Sequence, residues 1–354
     1  MRRLRIAVVG TGFGARIHVP GLRASGRFDV VALVGRDIER TRNTAARLAI
    51  PAACGSVDEA CALPDLDAVA IATPPATHAS LAIAAARAGK HVLCEKPMAR
   101  SVAGARAMRD AVREAGVVGM MDFEFRFHPG RAMLRRMVAR GDLGEPQLLV
   151  CADAMPLYVA PYKSPPAWWF DADAGGGWLS ASGSHLLDAT RFWLGDARSV
   201  TAMVDTLGRG SADDTYAIFL RMASGARVVL QQSAAVLGPR FQALRLSGSE
   251  GTAWFDEAWE LWQAGRTGDP TRVTIADDLT APAVELPPHA GPFAAREFPS
   301  YVRLAETFGD TILGRAGTVG MPPAPTFDDG LACQRLMDGA REASRASAWV
   351  EMET

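Results

Sequence analysis

The chain has 354 residues, of which 49% are hydrophobic and 22% charged, and 38 basic side chains against 39 acidic ones leave a formal charge of −1. That length suggests two domains with ordinary cores. The balanced charge gives little counterion-release drive for nucleic acid, and no apolar run approaches the roughly 18 residues of a membrane span. Nucleic-acid and membrane partners are therefore not expected. Cys54, Cys61, Cys94, Cys151 and Cys333 are scattered, odd in number and without CxxC spacing. They read as reduced, buried thiols of a cytoplasmic protein, with no disulfide frame and no metal site.

The opening Met1–Gly10 run passes from charge to a few apolar residues and then into glycines, as a strand entering a turn does. A signal peptide would need a longer apolar stretch. Ile6–Val9, Val30–Val34, Ala68–Ala72, His91–Glu95 and Val117–Met121 are continuous apolar runs, and helical stretches such as Ala76–Ala88 and Ser101–Ala115 lie between them. This alternation predicts a doubly wound parallel sheet over residues 1–122. From 123 to 354 the rhythm changes. A helix is expected over Gly130–Arg140, then a strand over Gln147–Cys151 and a loop rich in Pro, Trp and Gly from Pro156 to Gly177. A helix over Ser184–Leu194 follows, then alternating strands at Tyr216–Met222, Ala226–Gln232 and Gln242–Leu246, with Ser224-Gly225 as a hairpin turn. Strands at this spacing point to a mostly antiparallel sheet. Helices over Ala295–Leu313 and Phe327–Ser344 close the chain.

Gly10, Gly12 and Ala15 occupy the three positions of a GxGxxG/A loop between the first strand and a helix, with Phe13 and Gly14 inside it. The first glycine permits the tight turn and the second the approach of a pyrophosphate. The third small residue allows close helix–strand packing, and the helix N-terminus faces the phosphates. The second strand ends in Gly35-Arg36-Asp37, with Arg40 one turn on. A missing carboxylate at Gly35 and two guanidinium groups nearby favour the 2′-phosphate of NADP(H). The alternative is NAD(H), with Arg36 a solvated charge and Asp37 either the ribose-binding acid or only a helix cap.

Glu95-Lys96-Pro97 stands at the end of the fourth apolar run, His91–Glu95, on the side of a parallel sheet where ligands bind. Partial desolvation beside an oxidised nicotinamide favours a neutral amine, the form that removes a proton. Here the chain resembles the glucose–fructose oxidoreductase/inositol dehydrogenase/MocA (Gfo/Idh/MocA) family over nearly its whole length. The resemblance rests on Ala72-Thr-Pro-Pro-Ala-Thr-His78, Ala88-Gly-Lys-His-Val-Leu-Cys-Glu-Lys-Pro-Met98 and Phe125-Arg126-Phe127. Gly175-Gly-Gly-Trp-Leu179 with Gly183-Ser-His-Leu-Leu-Asp188, and Phe327-Asp-Asp-Gly330, complete it.

The resemblance implies a Rossmann domain joined to an α/β domain with a large open sheet, whose face commonly makes a homodimer or homotetramer contact. It implies Lys96 as catalytic acid/base, a cis peptide before Pro97, and Thr73, Pro74, His78 and Glu95 at the nicotinamide end. His185 would meet the substrate. His18 is open between the ligand side and an ordinary helix surface, and His91 and His289 read as structural. Many members carry an Asp four residues before the second-domain histidine, where this chain has Ala181. Asp188, three residues after His185, and the loop residue Asp173 are the carboxylates available to substitute. Tyr158, Tyr162, Trp168, Trp169 and Trp178 offer ring faces for a sugar, or else core or oligomer packing. Arg126 binds substrate oxygens or braces the domain junction. The activity implied is hydride transfer between a nicotinamide and a hydroxyl or carbonyl of a sugar, glycoside or cyclitol. A redox-neutral, NAD-dependent glycosidase and a non-catalytic nucleotide-sensing regulator are the alternatives, and retention of Lys96 and His185 argues against the second.

Overall fold

A computed structural model describes residues 2–159, 165–208, 210–287, 294–315 and 322–352. Apolar runs without alternation become strands covered on both faces. These are β1 (Leu4–Val9), β2 (Phe28–Val34), β3 (Ala52–Cys54), β4 (Ala68–Ile71), β5 (His91–Cys94) and β6 (Gly119–Met121). All pair in parallel, in the order β3-β2-β1-β4-β5-β6. This is the doubly wound order of dinucleotide-binding domains. The strands alternate with α1 (Val19–Ala24), α2 (Ile38–Arg47), α3 (Val57–Cys61), α4 (His78–Arg87) and α5 (Val102–Ala115). Asp37, Ser56 and Ser101 cap α2, α3 and α5 by accepting from backbone N–H groups of the first turn. The three-residue β3 escaped the sequence reading because it is too short to show a period and holds no β-branched residue.

Among the described residues the second sheet has nine strands: β7 (Pro146–Ala154), β8 (Ala197–Asp205), β9 (Thr215–Met222), β10 (Arg227–Ser233), β11 (Phe241–Gly248), β12 (Gly251–Phe255), β13 (Leu261–Gly265), β14 (Thr271–Arg272) and β15 (Val350–Glu351). Their order is β14-β13-β12-β11-β7-β10-β9-β8-β15, and only β7 and β10 run parallel. The β9–β10 hairpin turns at Ser224-Gly225, with Gly225 at φ +93°. α6 (Pro129–Arg140) and α7 (Ser184–Leu194) lie in the same unit and contact each other, Trp193 Nε1 donating to Arg131 O at 3.1 Å; along β7 the buried residues Leu149, Cys151 and Asp153 alternate with more open ones.

The compact units are not contiguous in sequence. One gathers residues 1–128 and 281–331, the other 129–280 and 332–354. A single cut at 122/123 assigned α8 (Ala294–Ile312) to the second domain; in the structure it belongs to the first. The reason is its apolar face: Tyr301, Leu304, Ala305 and Phe308 share a core with Leu4, Ile6, Leu22 and Phe28. Asp310 fixes the end of that face by accepting from Arg27 Nε at 2.8 Å. The first turn of α9 (Phe327–Ala346) also packs on the parallel sheet, with Phe327 against Gly119 and Gly330 against Met98 and Met121. Among the described residues, no helix is long and apolar enough to cross a membrane.

Candidate active site

The glycine loop leaves β1 at Gly10, whose φ of +127° excludes ordinary side chains. A Cβ there would also come within 2.4 Å of Ala72 O on the next strand end. Gly12 is different: nothing lies within 4 Å of where its Cβ would stand, so the backbone is bare on that side. Gly14 is packed against Val8 and Ala72, and Ala15 is buried. Close helix–strand packing thus falls on both Gly14 and Ala15. This tight turn, with an open backbone at its middle, is what a dinucleotide pyrophosphate needs, so the residues fit the cofactor.

At the end of β2, Arg36 and Arg40 are exposed. Asp37 uses Oδ1 to accept from the Arg40 backbone N at 3.1 Å, as the cap of α2. Gly35 is crowded, since a Cβ would come within 2.5 Å of Thr41 Oγ1 and 2.7 Å of Thr11 Cγ2.

The ends of β4, β5 and β6 carry the chemistry. Glu95 N donates to Ile71 O at 3.0 Å and Asp122 N to Cys94 O at 2.7 Å, so both carboxylates stand at the carboxyl edge of adjacent parallel strands. His18, fully buried at the end of a short π-helical turn from Gly14, reaches both. Its Nε2 lies 2.9 Å from Glu95 Oε1 and 3.3 Å from Asp122 Oδ2. Burial pulls His18 down, but its hydrogen bonds to Asp122 and Glu95 and their charges outweigh that and raise it to about 9. Burial, then the Glu95 charge, pushes Asp122 up to about 7. For Glu95 burial is overcome by the bond to His18, and the carboxyl stays below its usual range. Burial and the neighbouring Asp122 raise Glu124 well above the ordinary carboxylate range. Of the two expectations for His18, full burial removes the helix-surface one.

Lys96 is half-buried, and its backbone N donates to Glu95 Oε2 at 3.2 Å. The Lys96–Pro97 peptide is cis. Thr73 and Pro74 are half-buried beside it in chain order, and Thr77 Oγ1 donates to Thr73 Oγ1 at 2.7 Å. His78 departs from expectation. It is fully buried, with Nδ1 2.9 Å from Pro97 O and Nε2 2.8 Å from Thr73 O. Its ring ties the Thr73 loop to the Pro97 loop and has no edge left for a nicotinamide.

Arg126 is tied within the first unit. It is buried, and its Nη2 lies 3.1 Å from Asp329 Oδ1 in the first turn of α9. Asp329 also accepts from Thr326 N at 2.9 Å while Thr326 Oγ1 accepts from Asp329 N at 3.3 Å, a reciprocal cap. His91 is structural too, its Nδ1 accepting from Val118 N at 2.9 Å.

In the second unit, a π-helical turn over Leu179–Gly183 leads into α7. His185 and Asp188 lie one turn apart on α7, and both are buried. The π turn is held by Asp213, which accepts from Leu179 N at 2.7 Å, and by Arg341, which donates to Ser180 Oγ at 2.9 Å. Ala181 itself lies within this turn. Trp178 is buried, edge-on to Tyr158 at 5.8 Å between ring centroids and 6.2 Å from Trp169, so it is a wall of an aromatic cluster and not an open stacking face. Trp168 is half-buried, 5.9 Å from Trp169. Gly176 lets the backbone pass Trp168 O, where a Cβ would stand at 2.3 Å. Asp173 is exposed. Tyr162 and His289 lie outside the described residues.

The sequence reading missed Asp122 and Glu124, whose signal was acidic residues directly after an apolar run, and Asp213, which no motif marked. His18, Glu95 and Asp122 also form, among the described residues, a compact group able to hold a cation, their ligand atoms all within 4.8 Å. The short imidazole–carboxylate bonds account for this geometry without one.

Comparison with known proteins agrees with the architecture. Residues 4–123 match an oxidoreductase family with an NAD-binding Rossmann fold, and residues 132–254 match the GFO/IDH/MocA C-terminal domain. The chain is 26% identical to levoglucosan dehydrogenase of Pseudarthrobacter phenanthrenivorans, with 99% of each chain covered. It is also 26% identical to myo-inositol 2-dehydrogenase of Thermotoga maritima, again over 99% of each. The crystal structure of an NAD-binding oxidoreductase from Klebsiella pneumoniae is 27% identical, covers 100% of both chains and superposes with a TM-score of 0.85. The chain is an oxidoreductase and belongs to the GFO/IDH/MocA family, with its NAD-binding Rossmann fold.

Proposed function

We propose that this enzyme interconverts a hydroxyl and a carbonyl on a sugar, glycoside or cyclitol, prefers NADP(H), and uses Lys96 as its acid/base. The observation that carries the reading is the placement of Lys96. It follows β5 at the ligand-binding edge of the parallel sheet, half-buried and next to Glu95 in the buried acid–histidine cluster. Bound nicotinamide supplies the hydride acceptor or donor. Neutral Lys96 takes the hydroxyl proton in oxidation and returns it in reduction. His185 orients a substrate oxygen, and the Thr73–Pro74 and Pro97 loops, tied by His78, hold the lysine's surroundings in place. Gly10, Gly12, Phe13, Gly14 and Ala15 hold the pyrophosphate, and Arg36 with Arg40 supplies the charge that favours a 2′-phosphate. The names of the relatives, levoglucosan and myo-inositol dehydrogenases, support a polyhydroxylated substrate.

The same reading makes the protein a homo-oligomer through the outer face of the second sheet. Phe219, Val229, Val150 and Arg245 form one row across four strands of that face, and Phe219, Met203, Leu148 and Phe241 are exposed on it. The test of function is absorbance at the NAD(P)H band with NADP+ or NAD+ and a panel of polyols and glycosides headed by levoglucosan and myo-inositol. Reduction of NADP+ by a polyol supports the reading. A panel with no turnover by the parent protein in either direction overturns it.

A further inference from the structure

The glycine loop and the strand end that carries Lys96 are joined by a buried charge cluster. His18, at the end of the turn that begins in the loop, has its Nε2 2.9 Å from Glu95 and 3.3 Å from Asp122. Its ring is enclosed by Tyr301 of α8, with centroids 4.7 Å apart, and by the edge of Phe13 at 5.8 Å. Nothing about cofactor binding requires two buried carboxylates and an imidazole here. An isolated buried ion pair costs desolvation free energy that its attraction seldom recovers, so its position beside Lys96 asks for a reason.

We propose that His18 is a positioning residue for Lys96: it docks on Glu95 and Asp122, fixes the strand end that holds the lysine, and sets the net charge beneath it. The proposal rests on the reading of Lys96 as the acid/base. With Glu95 ionised, an uncompensated pair of carboxylates beneath an ammonium would hold its proton and leave less of the neutral amine that accepts one. His18 as a cation cancels one of the two charges. The groups that face the cluster are Cys94 and Lys96 next to Glu95, His78, Glu124 after β6, and Glu297 and Tyr301 on α8. Of these, Glu124 is raised by burial and by Asp122, against the opposing charge of Lys96. Cys94 and Tyr301 are raised by burial and stay neutral. The titratable groups whose charge bears on the lysine are therefore Glu95, Glu124, Asp122 and His18, with Glu297 on α8.

The chain contains only three lysines, Lys90, Lys96 and Lys163, so the titration of Lys96 is directly readable. Protein labelled with 13C at lysine Cε is titrated by NMR from neutral to alkaline pH, and Lys96→Ala assigns the signal. Asp122→Asn removes a negative charge and should lower the Lys96 midpoint by about one pH unit. His18→Gln keeps a hydrogen-bond donor, removes the cation and should shift the midpoint upward. That upward shift is smaller, because the two carboxylates then share a proton over part of the range. The Lys90 signal should move in neither variant. Opposite shifts support the proposal, since a merely structural histidine would not produce them. A Lys96 midpoint unchanged in both variants overturns it. If His18→Gln does not fold, the Asp122→Asn arm decides alone: a downward shift supports the proposal and no shift overturns it. Turnover of Lys96→Ala is measured alongside. Parent-like turnover there removes the acid/base reading, whatever the NMR shows about the cluster.

Discussion

Thr41 Oγ1 stands 2.5 Å from the position a Cβ on Gly35 would take, and the same hydroxyl donates to Asp37 O at 2.6 Å. An acid at position 35 therefore has no room unless Thr41, a residue stiff at χ1, gives way. Gly35→Asp alone should cost about 1–3 kcal/mol of stability by overpacking. Pairing it with Thr41→Ala should relieve most of that. In the parent, NADP(H) should bind more tightly than NAD(H). Arg36→Ala should weaken NADP(H) about tenfold or more, as loss of a charge-assisted phosphate contact does, while leaving NAD(H) nearly unchanged. Fluorescence titration of both cofactors checks this; tighter NAD(H) binding by the parent would assign the ribose to Asp37.

The buried histidine also sets a pH dependence of stability. Its pKa rises from 6.5 to about 9 on folding, so its contribution is complete below 6.5 and is lost as pH climbs through about 9. Asp122, raised from 3.8 to about 7, acts in the same direction at lower pH: the folded state holds a proton the unfolded chain has released. The urea midpoint should therefore fall between pH 6.5 and 9, by up to about 3 kcal/mol of unfolding free energy from His18. His18→Gln should flatten that slope. A parent profile that is flat or rising over this window would contradict the assigned charge state.

His185→Ala should lower kcat, because the reacting hydroxyl loses its orientation, and not merely raise KM. Steady-state rates on the best substrate of the panel separate the two. A variant with parent-like kcat would limit the second unit to shape.

If the outer sheet face joins two copies, Phe219→Asp with Met203→Asp should yield monomers. Both side chains are exposed, so the fold should persist. Sedimentation velocity measures the mass, and an unchanged oligomer would move the interface elsewhere.

Much of the parallel sheet was legible because its strands are continuous apolar runs, and Ser184–Leu194 was read to the residue because its apolar periodicity is unbroken. Strands such as β14 and β15, two residues each, carry no periodic signal. The allegiance of α8 was hidden for another reason. A helix's apolar stripe tells that it packs, but not on which of two cores. The site divides in the same way. Gly10 and Lys96 belong to local motifs whose spacing is fixed by backbone geometry. The roles of His18, His78 and Arg126 depend on partners 77, 19 and 203 residues away, which spacing alone does not reveal.

The most direct test of the central claim is single-turnover reduction of NADP+ by Lys96→Ala, measured together with cofactor affinity. Lysine is assigned to proton transfer and not to the pyrophosphate, so affinity should stay within about threefold while the rate falls 10²–10⁴-fold, the usual range for a general acid–base group. A Lys96→Ala rate within about threefold of the parent would contradict the assignment.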